Sequence, residues 1–111
     1  EIASCLVGSE MCIRDSHAAE RATEVGMDFI EINGGEQHLL DQCSCVKLNS
    51  RDDEYSAGKI ENRIKLAIEI ITAIKKRKSV NIPISYYFSI FDKIAALPRT
   101  ILFASLTSFA L

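Results

Sequence analysis

The chain has 111 residues, 13 of them basic and 15 acidic, for a formal net charge of −2. A balance this close to neutral excludes nucleic-acid binding through a basic face and membrane anchoring through a polybasic cluster. The longest apolar stretch, residues 94–111, is interrupted by Pro98 and Arg99 and falls short of the about 20 residues that a spanning helix needs, so a soluble, cytoplasmic chain without nucleic-acid or membrane partners is expected.

Residues 5–16, CLVGSEMCIRDS, resemble the translation of an adapter that transposase-based library preparation joins to DNA fragments. Glu1 and Ile2 fit the primer segment upstream of it, Ala3 and Ser4 fall at its barcode, and the adapter ends within the codon of Ser16. Residues 1–16 are therefore expected to be non-native and are set aside as a tag would be, with native sequence from His17. The alternative is a genuine N-terminal segment carrying a Cys/Met pair. Without Glu1, Glu10, Asp15 and Arg14, 12 acidic and 12 basic residues remain and the net charge is zero.

Residues 17–25 place Ala18, Ala22 and Val25 on one stripe, with Glu20 and Arg21 outside it, as in the last turns of a helix. Gly26 is its expected stop, because glycine accepts positive φ without a Cβ clash. Residues 27–32, MDFIEI, predict a short strand buried on both faces apart from Glu31, which must find a partner or line a site. Residues 33–58 show no clear periodicity, although a short helix around residues 39–43 is expected to divide them. Structureless connections longer than about 12 to 15 residues in compact domains tend to be functional or disordered.

Within that stretch Cys43 and Cys45 form a C-x-C pair. It matches no disulfide framework and cannot complete a metal site alone, so two buried, reduced thiols and no metal are expected. Residues 60–76 predict an amphipathic helix with Ile60, Ile64, Ala67, Ile68, Ile71 and Ile74 or Ala73 on its apolar stripe. The basic run Lys75, Lys76, Arg77, Lys78 then meets the negative end of the helix dipole. Residues 80–90, VNIPISYYFSI, are rich in β-branched and aromatic side chains and predict a second strand entered through Pro83.

Strand, loop, helix and strand make one βαβ unit with a preceding helix, which implies parallel strands and a right-handed crossover. The expected fold class is α/β, a fragment of a (β/α)8 TIM barrel or of a doubly wound sheet. Two strands and two helices cannot cover both faces of a sheet, so the chain reads as part of a larger enzyme.

Three separated motifs make the expectation specific. FIEINGGEQHLLDQ resembles a VEI strand followed by a glycine-containing turn and GYLLDQF; NSRDDEYSAGKIENRIKLAIEII resembles an N-x-R-x-DEYGG-S-x-ENR signature; SYYFSIFD resembles YRLSMLD. Together they resemble the flavin-dependent old yellow enzyme family, nearest to its NADH:flavin oxidoreductase and 2,4-dienoyl-CoA reductase branch. The resemblance covers residues 29–92, which sets the expected division: a partial flavin oxidoreductase TIM barrel over residues 17–92 and a tail of other origin, possibly out of frame, over residues 93–111. A short apolar helix over residues 100–109 is physically allowed there.

The resemblance implies FMN, with NADH or NADPH as reductant, and hydride transfer to an activated alkene or enoyl thioester. It places the proton donor at His38, where the family has a tyrosine. Imidazole has a free pKa near 6.5, which suits general-acid work near neutrality; the plain alternative is a solvated loop histidine. Glu36 is expected on the substrate side or in a proton relay, or otherwise as a solvated carboxylate. Asn33 is expected to donate a hydrogen bond to an activating carbonyl, or only to cap the strand end. Tyr87 stands where the family places a flavin-contacting arginine, so a neutral phenol occupies the position of a cation beside N1 and O2. Asn49, Arg51, Asp53, Glu54, Tyr55, Glu61, Asn62 and Arg63 match the loop signature and are given structural roles, with Arg51 or Arg63 making forked ion pairs that pin the loop. Two other readings stand beside the enzyme fragment: a non-catalytic remnant, motivated by His38 and Tyr87, and an interaction module using the Ile-rich helix face.

Overall fold

The computed structural model describes residues 9–89, 91–92 and 97–98. In chain order its elements are α1 (Ser9–Glu24), β1 (Ile30–Gly34), α2 (Leu39–Ser44), α3 (Ile60–Lys75), β2 (Ile84–Phe88) and the two-residue strands β3 (Phe91–Asp92) and β4 (Leu97–Pro98). β1 and β2 are parallel with Ile30 opposite Ile84 and Gly34 opposite Phe88, and α3 lies between them in sequence. β3 and β4 form a separate antiparallel pair. The α/β architecture with one βαβ unit and a preceding helix is thus present. The expected helix over residues 100–109, residues 1–8 of the expected adapter segment and Ile90 at the end of the expected strand all lie outside the described residues.

Helix α1 runs through His17 and not merely up to Glu24 from it. Met11 and Cys12 pack against the core, Ser16 and Ala19 are buried, and the Ser16 hydroxyl donates to the Cys12 carbonyl at 2.6 Å. The expected stripe is corrected accordingly. Val25 is exposed and Ala18 lies outside the core, because the inward positions run from Cys12 to Ser16 at i+4 and on to Ala19 at i+3, which turns Ala19 inward. Gly26 ends the helix as expected, at φ 81°. Its N–H donates to the Thr23 carbonyl and the Met27 N–H to the Ala22 carbonyl, both at 3.1 Å, which is the Schellman pairing of a left-handed C′ residue.

The first strand is not buried on both faces. Ile30 and Ile32 turn toward the helices while Glu31 and Asn33 are exposed, the period-2 alternation of a strand covered on one side. Helices α1, α2 and α3 supply that cover, and nothing among the described residues lies over the other face.

The buried seam of α3 is Leu66, Ile70, Ile71 and Ile74, whereas Ile68 is 46% exposed. The expected stripe therefore named only part of the contact face. Apolar residues occupy well over half of this helix's circumference, so periodicity alone does not select the inward side; contact with α1 and α2 does. Leu66, Ile70 and Ile74 form the core with Ala19, Cys43 and Tyr55, and Ile30, Ile32, Leu39, Leu40 and Ile84 pack against it.

Candidate functional site

The two strands end side by side, and the chain leaves β1 into a turn that rises over that end. Asn33, the last polar residue of the strand, accepts the Gly35 N–H on Oδ1 at 2.9 Å. It therefore caps the strand end, and its amide N–H groups have no partner among the described residues. Glu36 and Gln37 follow in the left-handed region at φ 55° and 62°. Such a conformation costs a residue with a Cβ roughly 1 kcal/mol or more, so it has to be held. The Glu36 N–H donates to the Ser89 hydroxyl at 3.2 Å, which ties the turn to the chain just after β2. The Gln37 N–H donates to Oδ2 of the buried Asp41 at 2.7 Å, and the Gln37 carbonyl accepts from the Gln42 amide at 2.8 Å.

His38 comes next and is the N-cap of α2, with extended backbone and no hydrogen bond from its side chain to the helix end. Its carbonyl accepts the Gln42 N–H at 2.9 Å, and its imidazole is exposed. His38, Asn33 and Glu31 line one cavity of about 460 Å³ whose other walls include Ile32, Ala19 and Ile70. Glu31, expected to find a partner or line a site, lines this one. Asp15 also reaches the cavity, where burial pushes its carboxyl above the usual carboxylate range and Arg14 partly offsets this.

Tyr87 is placed differently. It pairs with Asn33 across the parallel strands and shares the uncovered face with Glu31, Asn33 and Ser85, but it does not line the cavity. Its ring rests on Gly35: a Cβ there would meet Tyr87 Cε1 at 2.5 Å. Glu36 is exposed and is likewise outside the cavity lining. The structure thus brings Asn33 and His38 together, sets Tyr87 beside Asn33, and leaves the Glu36 carboxylate in solvent.

The rest of the loop is anchored by Asn49, buried below α2. Its Nδ2 donates to the Cys43 carbonyl at 2.7 Å and to the Tyr55 carbonyl at 2.8 Å, and its Oδ1 accepts the Arg51 N–H at 3.1 Å. Arg51 makes the expected forked pair with Asp53, donating from Nε to Oδ1 at 2.9 Å and from its terminal nitrogen to Oδ2. That bond holds the Asp53 carboxyl below its usual range and raises Arg51. Arg63 makes no such pair, and its buried Nε has no partner among the described residues. The Tyr55 hydroxyl donates to Glu69 on α3 at 2.9 Å; burial first, then that carboxylate, push its pKa up to about 12. Cys43 and Cys45 are both buried, as expected, and burial raises the Cys43 thiol.

A planar heteroaromatic group such as a flavin ring requires a flat wall with hydrogen-bonding edges. The uncovered strand face meets that requirement with the Asn33 amide, the Tyr87 phenol and the Ser85 hydroxyl, without a lysine or arginine on either strand. Glu31 adds a carboxylate to the same face, so among the described strand residues a flavin edge is offered hydrogen bonds and no cation.

Asp41 and Ser89 are the site residues that sequence reasoning missed. Asp41 had a signal, since an acid three residues after a cap position is the spacing that reaches back to the N–H groups before a helix. Ser89 had none, because its contact with Glu36 joins residues 53 positions apart.

Comparison with known proteins decides the family. Residues 12–100 match the model of the NADH:flavin oxidoreductase / NADH oxidase family. The chain belongs to this family. Members fold as TIM barrels, and the parallel strand pair with its connecting helix agrees with a segment of such a barrel. The NADH:flavin oxidoreductase segment is similar to a flavin oxidoreductase of Emericella nidulans, 43% identical over 65 residues, which is 59% of this chain and 16% of that protein. It is also similar to 12-oxophytodienoate reductase 2 of Arabidopsis thaliana, 44% identical over 59 residues, 53% of this chain and 16% of the relative. A cinnamate reductase of Clostridium sporogenes is 42% identical over 74 residues, 66% of this chain and 11% of the relative. The chain therefore spans less than a fifth of the length of each of these three. No helix among the described residues is long and apolar enough to cross a membrane.

Proposed function

We propose that the chain forms part of the active-site wall of an FMN-dependent NAD(P)H:flavin oxidoreductase that reduces activated alkenes or enoyl thioesters, as in the 2,4-dienoyl-CoA reductase branch. The observation that carries this reading is the placement of Asn33 at, and His38 just beyond, the C-terminal end of a parallel strand, where barrels of this kind place their chemistry. Names of the relatives support the substrate class: cinnamate and 12-oxophytodienoate are both alkenes conjugated to a carbonyl. When bound, FMN supplies the hydride, itself replenished by NADH or NADPH.

In this reading each residue has one task. Asn33 donates its free amide N–H to the substrate carbonyl, drawing electron density away from the alkene. His38 delivers the proton to the α-carbon from its exposed imidazole. Tyr87 presents its phenol to the flavin edge, and Glu36 lies on the substrate side as a relay to solvent. The isolated chain is inactive, since it carries one wall of the site. The boundaries at His17 and Asp92 belong to the same proposal, and resequencing the source DNA across both ends tests them.

The test is made in the whole protein. His38→Gln keeps a hydrogen-bonding side chain but removes the acid, and the alkene-dependent step is expected to fall by about a hundredfold or more. An unchanged step would remove His38 from the chemistry. His38 and Tyr87, standing where the family has its usual tyrosine and arginine, favour one second reading, a non-catalytic remnant; a whole protein that folds but shows no flavin absorbance would establish it.

A further inference from the structure

Glu36 and Gln37 are the residues bearing a Cβ that adopt positive φ among the described residues, and the pair stands immediately before His38. Neither residue is a glycine or an asparagine, the types that adopt this region most cheaply. Two holds act on Gln37, and both come from the first turn of α2. Asp41, buried to 2% exposure, accepts the Gln37 N–H on Oδ2, and Gln42 donates its side-chain amide to the Gln37 carbonyl. Asp41 lies at the third position of the helix and reaches one residue farther back than the acid of a capping box would. Its carboxylate satisfies a donor left over ahead of the helix and, together with the Gln42 bond to the Gln37 carbonyl, fixes the peptide planes on both sides of Gln37 and so its positive φ.

A change of φ at Gln37 would swing the next residue about the chain, and that residue is His38. Its own backbone is held only through α2 and the turn, with the His38 N–H donating to the Gly35 carbonyl at 3.2 Å and its carbonyl accepting from Gln42; its side chain makes no bond to the helix end. Among the described residues no hydrogen bond holds the imidazole, so its place beside the cavity is inherited from the turn.

We propose that Asp41 is a positioning residue for His38: its buried carboxylate holds the left-handed turn that carries the imidazole into the cavity. This rests on the reading of His38 as the proton donor, and the experiment separates the two. The chain has two histidines, and His17, exposed on α1, serves as an internal reference in proton NMR of the 111-residue chain. Asp41→Ala is expected to move the His38 ring resonance toward that of a free histidine and leave His17 in place. Asp41→Asn, which keeps an acceptor oxygen for the Gln37 N–H, should leave both in place. Gln42→Ala removes the solvent-side hold on the same residue and buries nothing, so it is the variant read where Asp41→Ala does not fold; it should move His38 in the same direction. A His38 resonance unmoved in Asp41→Ala, or in Gln42→Ala where that is the variant read, overturns the proposal. So does Asp41→Asn behaving like Asp41→Ala.

In the whole enzyme, Asp41→Ala should lower alkene-dependent turnover about tenfold, with Asp41→Asn within about threefold of the parent. A ring that moves without loss of turnover would confirm the hold and overturn the catalytic reading of His38.

Discussion

Tyr87 lies against Gly35 so closely that a Cβ on the glycine would stand 2.5 Å from Tyr87 Cε1, with Ser89 Oγ at 2.8 Å. The glycine is needed for space: its φ is not among the positive ones. Gly35→Ala must therefore displace the tyrosine ring, the serine, or both. The ring is at the free end of a side chain that is 42% exposed, so it can swing, and the expected cost is about 1 kcal/mol. In a Tyr87→Ala background the cost should shrink by more than half. The chain has no tryptophan and three tyrosines, so urea denaturation followed by circular dichroism gives the energy in both backgrounds. Equal losses in both backgrounds would mean that the serine or the backbone, and not the ring, is the obstacle.

Asn49 is the residue whose loss should cost the loop most. Its side chain satisfies two carbonyls and one N–H while 4% exposed, and Asn49→Ala leaves all three without that partner. Unsatisfied buried groups cost about 1–3 kcal/mol each where water cannot reach them, so a total of about 3 kcal/mol is expected in equilibrium unfolding. Asn49→Asp is the sharper variant. It replaces the donating amide with a carboxylate facing the Cys43 and Tyr55 carbonyls, so it should be at least as harmful at neutral pH and recover in part near pH 4, where a protonated carboxyl donates again. A loss that does not vary with pH would show that the pocket has opened to water.

The helices and the strand pair were legible because their signals are local. Gly26 after a periodic run, the length of the apolar run over α3, and the β-branched residues around Pro83 each announce an element without reference to the rest of the chain. The inward faces were less legible, for one reason in two places. On α1 and α3 apolar side chains cover more than one side, and the choice of Ala19 over Ala18, or of Leu66 and Ile70 over Ile68, is made by neighbouring elements. At the site, family motifs pointed to Asn33, Glu36, His38 and Tyr87, and the structure places all four around one strand end. What holds them there is contained in contacts such as Asp41 with Gln37 and Glu36 with Ser89, which depend on a turn geometry that composition does not encode.

Gly26 offers a clean measure of backbone preference. An added Cβ would meet nothing within 4 Å, and φ is 81°, so a substitution there changes conformational strain without changing packing. Gly26→Ala is expected to cost about 1 kcal/mol, and Gly26→Asn about half as much, since asparagine tolerates the left-handed region. The order glycine, asparagine, alanine in thermal midpoint is the outcome to look for. Alanine matching glycine would mean that the Schellman turn is not kept in solution.

Tyr55 should make the fold sensitive to alkali. Its hydroxyl donates to Glu69 in a buried setting, and the pKa is pushed up to about 12 from an ordinary value near 10. The folded state favours the neutral phenol, so this contribution is fully present below pH 10 and is lost as pH rises from about 10 through 12. Two units correspond to roughly 2 to 3 kcal/mol across that window. Tyr55→Phe lacks both the hydrogen bond and the titration; it should be less stable at pH 7 by about 1–2 kcal/mol and lose less stability between pH 10 and 12 than the parent. Lys65, held charged above its ordinary range first by its hydrogen bond to Glu54, is common to both proteins, so the difference between them is the informative quantity. Parallel declines would place Tyr55 in contact with water and remove the Glu69 bond from the account of how the loop is joined to α3.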